Sequence, residues 1–266
     1  MKIAGARILV TGASSGIGAA LAPQLAAAGA TVGIVARRAD RLEEVLAECR
    51  RHTPESRMWV ADLGDLARAE AVAIEAWDAF GGLDGLVNNA AIPKRTPVTK
   101  LTATDVAHVM DVDFHSPVRM SLAVLPKMLE RRSGMIMFVS SMGGRIPIAN
   151  EAAYNAAKFA MCGWSEAMFL DLWQTGVAVK LVLPGPIDTE IWDQPDNEPA
   201  IFDIEKVSAA DCAAGIAAAI EDDGFEYYVP AQFPGGIDAK AIAVGKHQNC
   251  DDYLRGMAAF AQSAHS

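Results

Sequence analysis

Short apolar runs rich in β-branched residues alternate along this chain with longer stretches rich in alanine and leucine. Consecutive parallel strands need a crossover segment between them, so this alternation predicts strand–helix–strand units around a parallel sheet. The runs mostly lack polar alternation, which is typical of strands buried on both faces. We predict one α/β domain over 1–266 with a doubly wound, seven-stranded parallel sheet. Its strands are Arg7–Val10, Thr31–Ala36, Arg57–Ala61, Gly85–Val87, Met135–Val139, Val177–Leu183 and Glu226–Val229.

The segments between these strands have helical composition. A long helix over Thr102–Arg132 is expected to be interrupted near Pro117 and Pro126 and to bend there, because each proline removes a backbone donor. The other main helices are predicted over Ile17–Ala28, Asp40–Arg50, Leu66–Phe80 and Ala152–Trp173.

Two segments outside this pattern are candidates for substrate contact. A polar, proline-containing cluster predicts a mobile loop around 190–204. Leu254, Met257 and Phe260 share one stripe of a helical extension predicted around 250–265. That helix could cover a pocket or face another subunit.

Composition excludes several classes of function. With 23 Lys+Arg against 33 Asp+Glu, the chain carries a formal net charge of −10, which repels nucleic acid and anionic membranes. No apolar run reaches the roughly 20 residues that span a bilayer. Cysteines and histidines show neither disulfide nor metal-ligand spacing, so no metal site is expected. The N-terminus runs straight into a strand pattern, and we expect no removed signal peptide and a cytoplasmic location.

A glycine-rich turn, Thr11-Gly-Ala-Ser-Ser-Gly-Ile-Gly18, joins the first strand to the first helix. Glycines there permit a tight turn and a close backbone approach, while the helix N-terminus offers free N–H groups to a pyrophosphate. An ordinary strand-to-helix loop is the alternative. The residues predicted to contact a dinucleotide here are Gly12, Ser14, Ser15, Gly16, Ile17 and Gly18.

Tyr154 and Lys158 are four residues apart, so they lie on one face of a helix. A phenol is a poor base at neutral pH, and a neighbouring ammonium group is expected to lower its pKa. Ser141, after an apolar strand, stands 13 residues before the tyrosine. An aromatic stripe beside a surface lysine is the alternative interpretation.

Together with the glycine turn and Asn88-Asn-Ala-Ala91, this group resembles the short-chain dehydrogenase/reductase family over about Ala6–Thr189. The resemblance implies a Rossmann-type fold and a nicotinamide cofactor. It also implies that Ser141 binds the substrate oxygen, with Ser140 as its rival, and that Tyr154 exchanges a proton. Lys158 would grip the ribose and lower the phenol pKa. Further cofactor contacts implied by the resemblance are Asp62, Leu63, Asn89, Ala90, Ile187 and Thr189.

The end of the second strand bears on cofactor preference. Ala36 leaves no carboxylate for the ribose hydroxyls, whereas Arg37, helped by Arg38 and Ser14, suits a 2′-phosphate. We therefore predict NADP(H) as preferred cofactor and NAD(H) as a possible one. The alternative is that both arginines merely decorate the first turn of a solvated helix.

The chain departs from the family pattern at Asp113, where family spacing leads to an asparagine that supports a proton relay. We hypothesise that Asp113 keeps the relay but raises the phenol pKa and shifts the alkaline limb of activity upward. The alternative is a tolerated polar residue without a catalytic part.

The expected substrate is a hydrophobic secondary alcohol or its ketone, since the segments nearest the predicted site are apolar. The resemblance implies a homodimer or homotetramer. A catalytically weak cofactor-sensing or regulatory binding protein on the same fold is one alternative, and a Rossmann-type methyltransferase is another, although it leaves the Tyr154/Lys158 pair unexplained. The apolar residues concerned are Met142, Ile146, Ile148, Ile191, Trp192 and Phe202.

Overall fold

The computed structural model describes residues 1–201, 205–233 and 235–263. Its strands in chain order are β1 (Arg7–Thr11), β2 (Thr31–Ala36), β3 (Arg57–Val60), β4 (Gly85–Asn88), β5 (Gly134–Val139), β6 (Val177–Pro184), β7 (Ile187–Asp188), β8 (Val207–Ser208), β9 (Glu226–Val229), β10 (Gln232–Phe233) and β11 (Ile237–Asp238).

A seven-stranded sheet of order β3-β2-β1-β4-β5-β6-β9 forms the centre of the fold, and every pairing in it is parallel. The seven strands are those predicted, each within one residue at either end, and the Rossmann-type fold is confirmed. The small pairs β7–β8 and β10–β11 lie outside this sheet. Because the strand order reverses between β1 and β4, a crevice opens at their carboxyl ends.

The helices are α1 (Gly16–Ala27), α2 (Ala39–Arg50), α3 (Leu66–Phe80), α4 (Ala103–Met110), α5 (Ser116–Glu130), α6 (Ala152–Asp171), α7 (Ala209–Glu221), α8 (Ala239–Gln248) and α9 (Cys250–Ser263). Among the described residues, no helix combines the length and the apolar character needed to cross a membrane.

Two apolar layers sandwich the sheet. Alternate residues of β1 point into the two layers. Ile8 and Val10 pack on one side with α1, α2 and α7, whereas Leu9 packs on the other with α3, α5 and α6. All three are fully buried, and each such side chain contributes about 1.5–3 kcal/mol of hydrophobic stabilisation. Burial on both faces explains why the strand sequences show no polar alternation.

The long helix predicted over Thr102–Arg132 is interrupted once. A capping box starts it, in which the Thr102 hydroxyl accepts from Asp105 N at 3.1 Å and the Asp105 carboxylate accepts from Thr102 N at 3.0 Å. A π-helical turn, Asp111–His115, then separates α4 from α5. Pro117 lies in the first turn of α5, where a missing N–H is tolerated. The helix continues through Pro126, so the second predicted interruption is not found.

Candidate active site

A cavity of about 1100 Å³ lies at the carboxyl ends of the central strands. It extends from the glycine-rich turn to the C-terminal helix α9, and its walls combine a few polar groups with many apolar ones. Such a cavity at the point of strand reversal is the usual ligand site of a doubly wound fold. The predicted site residues that line it are Gly12, Ser14, Ser15, Gly16, Ile17, Arg37, Arg38, Asp62, Leu63, Asn89, Ala90, Ser141, Tyr154, Lys158, Ile187 and Thr189.

The glycine-rich turn packs too closely against its neighbours for larger residues. Gly12 has φ +70°, and a Cβ there would lie 2.7 Å from Ala90 Cα. A Cβ at Gly18 would lie 2.4 Å from Gly12 O and 2.7 Å from Asn89 Nδ2. Gly18 does not itself line the cavity. It allows the start of α1 to pack closely against the backbone of Gly12. The turn therefore brings backbone and the start of α1 to the cavity wall.

Thr11 fixes the turn to the end of β4. Its hydroxyl oxygen accepts hydrogen bonds from Asn89 N and Ala90 N, both at 3.0 Å. Asn89 Nδ2 donates in return to Thr11 O at 2.9 Å. Asn88, in contrast, is buried and donates to Ser121 Oγ at 3.1 Å, in line with a structural role. The two segments expected to hold the cofactor therefore form one connected wall.

At the end of the cavity formed by the glycine-rich turn, Arg38 rather than Arg37 makes the side-chain contacts with that turn. The Arg38 guanidinium donates to Ser14 Oγ at 3.2 Å and to Ser15 Oγ at 2.6 Å. The same group forms a 2.8 Å ion pair with Glu190, which also pairs with Arg41. Arg37 lies at the cavity wall and is exposed. This end of the cavity therefore presents clustered hydroxyl and guanidinium donors.

Ser141 and Tyr154 converge at the floor of the cavity. Ser141 follows β5, and its Oγ accepts from Gly143 N at 3.0 Å. A Cβ at Gly143 would lie 3.4 Å from both Ser141 Oγ and Tyr154 Cε1. The Ser140 hydroxyl instead donates to Lys158 O at 3.1 Å. Ser141 is thus the serine directed at the tyrosine.

Tyr154 and Lys158 share one face of α6, with Lys158 Nζ 5.4 Å from the centre of the phenol ring. The pKa of Tyr154 is nevertheless raised above its ordinary value, first by burial and then by the charge of Asp113, while Ser141 acts in the opposite direction. The expected lowering of the phenol pKa is therefore not found. Lys158 already has a counter-ion, which offsets its field at the phenol.

That counter-ion is Asp113, in the π-helical turn. Its Oδ1 accepts from Ile92 N at 2.8 Å, and its Oδ2 lies 3.5 Å from Lys158 Nζ. Asp113 is fully buried beneath the cavity rather than in its wall. Burial raises the pKa of this carboxyl to about 6, while Lys158 and the Ile92 N–H oppose the rise. Because the pair is desolvated, loss of either partner would leave an uncompensated charge.

The apolar end of the cavity is built from distant segments. Five of the six apolar residues expected there line it, and Phe202 lies outside the described residues. Met257 of the predicted C-terminal stripe also lines the cavity, whereas Leu254 is 43% exposed. Phe233 lies so close to Gly185 that a Cβ at Gly185 would meet its ring at 2.2 Å. Four further apolar or aromatic residues were not anticipated: Phe233, Ile237, Ile242 and Tyr253.

A buried ion pair in the cavity wall was also missed. Arg95 and Glu151 have side-chain exposures of only 4% and 10%, and Arg95 Nε lies 2.9 Å from Glu151 Oε1. Both residues line the cavity. No local pattern marks them, since they are 56 positions apart and each resembles an ordinary surface charge in the sequence.

The amino-acid sequence is similar to those of known dehydrogenases and reductases. The family model described as short chain dehydrogenase matches residues 6–199. Dehydrogenase/reductase SDR family member 7B of Mus musculus is 32% identical over 69% of this chain, but the match spans only 58% of the mouse protein's length. Levodione reductase of Leifsonia aquatica is 32% identical over 68% of this chain and 69% of its own.

A solved structure extends the comparison to nearly the whole chain. The short-chain dehydrogenase from Burkholderia cenocepacia, determined in complex with NADP, superposes with a TM-score of 0.78. It is 26% identical, and the match covers 97% of this chain and 99% of the other.

Proposed function

This chain belongs to the short-chain dehydrogenase/reductase family, and from that premise we propose that it is an NADP(H)-dependent oxidoreductase. It would interconvert a hydrophobic secondary alcohol and its ketone. The observation that carries the proposal is the convergence of Ser141, Tyr154 and Lys158 on the floor of a cavity that also reaches the glycine-rich turn. The levodione reductase relative, named for reduction of a carbonyl compound, supports the same reaction class.

The residues present fit a dinucleotide. Gly12 and Gly18 allow the turn to pack directly against Asn89 and Ala90, and the start of α1 faces the cavity. A bound nicotinamide would supply or accept the hydride. Asn89, Ala90, Ile187, Thr189 and Lys158 are the residues that we propose hold it, with Asp62 and Leu63 at the adenine.

The protein's own part in the reaction is proton transfer and orientation. Tyr154 would donate its phenolic proton to the substrate oxygen during reduction, and Ser141 would hold that oxygen by a hydrogen bond. A phenol is protonated at neutral pH, and the raised pKa of Tyr154 keeps it protonated to higher pH, which suits the donor role. Asp113 would hold the Lys158 ammonium from below and set its influence on the phenol.

The preference for NADP(H) rests on charge. Arg38, with Ser14 and Ser15 beside it and Arg37 at the same wall, offers the donors that a 2′-phosphate needs. The NADP complex of the Burkholderia cenocepacia relative supports this choice. If NAD+ gives a higher kcat/KM than NADP+, or if Arg37→Ala and Arg38→Ala both leave NADP+ affinity unchanged, the preference is wrong.

Assembly, location and the roles of two segments stay predictions. We propose a homodimer or homotetramer, because α6 and its end expose Phe159, Leu170 and Trp173 by 37%, 73% and 65%. Light scattering of the purified protein tests this. The loop around 190–204 and the extension around 250–265 are proposed to select the substrate, and a cytoplasmic location is expected.

A regulatory NADPH-binding protein of the same family is the second candidate. The pairing of Lys158 with Asp113 favours it, because that pairing weakens the field that would ionise the phenol. A methyltransferase is not supported, since the chain belongs to a dehydrogenase family. A screen of aliphatic, aryl and polycyclic ketones with NADPH and NADH, followed by the absorbance of reduced nicotinamide, separates the candidates. Tight NADPH binding without turnover would favour the regulatory protein.

A further inference from the structure

Arg95 places a guanidinium in the wall of the cavity on its apolar side. The residue is only 3% exposed, and its Nε donates to Glu151 Oε1 at 2.9 Å. Burying a charge is costly unless it is paired and hydrogen-bonded, so this pair needs a compensating role or network. Neither residue belongs to the group around Tyr154 and Lys158 that would carry out the reaction.

The network that holds Arg95 involves the loop after β7. Arg95 Nη1 donates to Glu198 O at 3.1 Å and to Trp192 O at 3.4 Å, and the guanidinium lies 5.2 Å from the centre of the Trp192 ring. Glu198 N donates back to Arg95 O at 2.8 Å. Contacts with Glu151, Trp192 and Glu198 thereby fix the orientation of the guanidinium.

One end of the guanidinium remains available. Within 1–201, 205–233 and 235–263, hydrogen bonds engage Nε and Nη1 of Arg95, and none engages Nη2. Since Arg95 lines the cavity, a ligand there meets a fixed donor in mainly apolar surroundings. Glu151 already balances the charge of Arg95, and Glu205 and Lys206 bring one further charge of each sign to the cavity wall. A carboxylate on the ligand would therefore add net negative charge, whereas a neutral oxygen would not.

The donor is close to the proposed reaction centre. Glu151 immediately precedes α6 and stands three residues before Tyr154. The charges of Arg95 and Glu151 both act on the phenol pKa, in opposite directions. Arg95 and Tyr154 also line the same cavity, so one ligand can contact both.

We propose that Arg95, held in place by Glu151, is a specificity-determining residue that donates a hydrogen bond to a second, uncharged oxygen of the substrate. The inference rests on the proposed function and narrows its substrate class to apolar ketones with another carbonyl or hydroxyl group. Trp192, which lines the same cavity, would contact the carbon skeleton of such a compound.

The test compares two ketones with one carbon skeleton, a cyclic diketone and the matching mono-ketone, with NADPH as reductant. Wild-type protein should favour the diketone in kcat/KM by about tenfold or more, the usual range for a hydrogen bond from a charged donor. The double variant Arg95→Met/Glu151→Gln removes both buried charges together and avoids leaving one unpaired. Its diketone-to-mono-ketone ratio should fall to about one, and Arg95→Lys, which keeps the charge but loses the planar fork, should also lower the ratio.

The ratio separates direct contact from loop positioning, because a displaced loop would slow both ketones alike. Lys100→Met is the matched control: Lys100 pairs with Glu198 of the same loop at 2.9 Å but does not line the cavity, and this variant should keep the wild-type ratio. Equal kcat/KM values in the wild type, or a preference that survives in the double variant, would overturn the inference while leaving the proposed function intact. If wild-type protein reduces neither ketone nor any other, the proposed function fails and takes the inference with it.

Discussion

Asp113 Oδ2 lies 3.5 Å from Lys158 Nζ, and both side chains are shielded from solvent. An uncharged amide is the residue that family spacing leads one to expect at this position. The carboxylate places a negative charge beneath the proposed proton donor, where burial amplifies its effect. The difference between aspartate and asparagine at position 113 should therefore be measurable as a shift in the titration of the Tyr154 phenol.

Asp113→Asn should move the phenol-dependent limb of the pH–activity profile to lower pH. In the wild type, ionised Asp113 raises the pKa of Tyr154, so its replacement by a neutral amide lowers that pKa, by about one unit if the charge is poorly screened. Alcohol oxidation would then begin at lower pH, and ketone reduction would decline at lower pH. Because the pKa of Asp113 is raised to about 6, the two profiles should converge below that pH.

The control is Asp111→Asn in the same π-helical turn. Asp111 pairs with His115 at 2.9 Å on the surface, so its charge is screened and the profile should not move. Identical profiles for wild type and Asp113→Asn would show that Asp113 exerts no net field on the phenol.

Tyr154→Phe should lower turnover by at least about 100-fold, because positioned proton transfer contributes about 10²- to 10⁴-fold. NADPH binding, followed by fluorescence titration, should remain close to that of the wild type. The matched variant is Tyr227→Phe, which removes a phenol that hydrogen-bonds Asp222 at 2.8 Å away from the cavity. Turnover that survives in Tyr154→Phe would contradict the proton-transfer assignment.

Gly18→Ala should destabilise the fold and weaken NADP(H) binding together. The added methyl group would lie 2.4 Å from Gly12 O, and such overpacking costs about 1–3 kcal/mol. Gly245→Ala in α8 is the matched change, since nothing lies within 4 Å of its Cβ position. It should raise stability by about 0.5–1 kcal/mol through helix propensity. Thermal melts with and without NADP(H) measure both variants, and an unchanged melting temperature in Gly18→Ala would contradict the packing argument.

Glu190→Gln should lower the KM for NADP+ by up to about fivefold, because the exposed ion pairs that it removes are worth about 0–1 kcal/mol. Its carboxylate now pairs with Arg38 and Arg41, where it competes with a 2′-phosphate for the guanidinium groups. The KM for NAD+, which lacks that phosphate, should change little. Glu44→Gln on the same helix as Arg41 is the control, since Glu44 acts on Arg41 only through its charge. Equal changes for both cofactors would place Glu190 outside the phosphate subsite.

Local sequence information was sufficient for the sheet and for the groups around Tyr154. The strands could be located because burial on both faces demands continuous apolar runs, and Tyr154 with Lys158 because helical spacing alone puts them on one face. An interruption near Pro117 was predicted, but the π-helical form of the turn just before it was not, since no local pattern marks it and its buried Asp113 contacts Ile92 and Lys158 from distant segments.

Interactions between distant segments account for the other differences. The Arg95–Glu151 pair depends on two charges that become buried only when the chain folds, and composition alone assigns both to the surface. The contacts of Glu190 with Arg38 and Arg41 join positions about 150 residues apart. Helical spacing predicted the stripe of Leu254, Met257 and Phe260. That spacing does not distinguish Met257, which lines the cavity, from Leu254, which is exposed.

Phe233 packs against Gly185. Gly185 lies within residues 6–199, which the family model matches, whereas Phe233 lies beyond them. The region matched by the family model thus contains the glycine-rich turn and Tyr154, while Phe233, Ile237 and Met257 from beyond it complete the cavity wall. We therefore expect the C-terminal segment to share substrate selection with Arg95 and Trp192, and the proton-transfer group to lie outside that segment. Grafting another relative's C-terminal segment onto this catalytic body should therefore exchange the compounds accepted without rebuilding the proton-transfer group, provided that an aromatic ring still meets a glycine at 185.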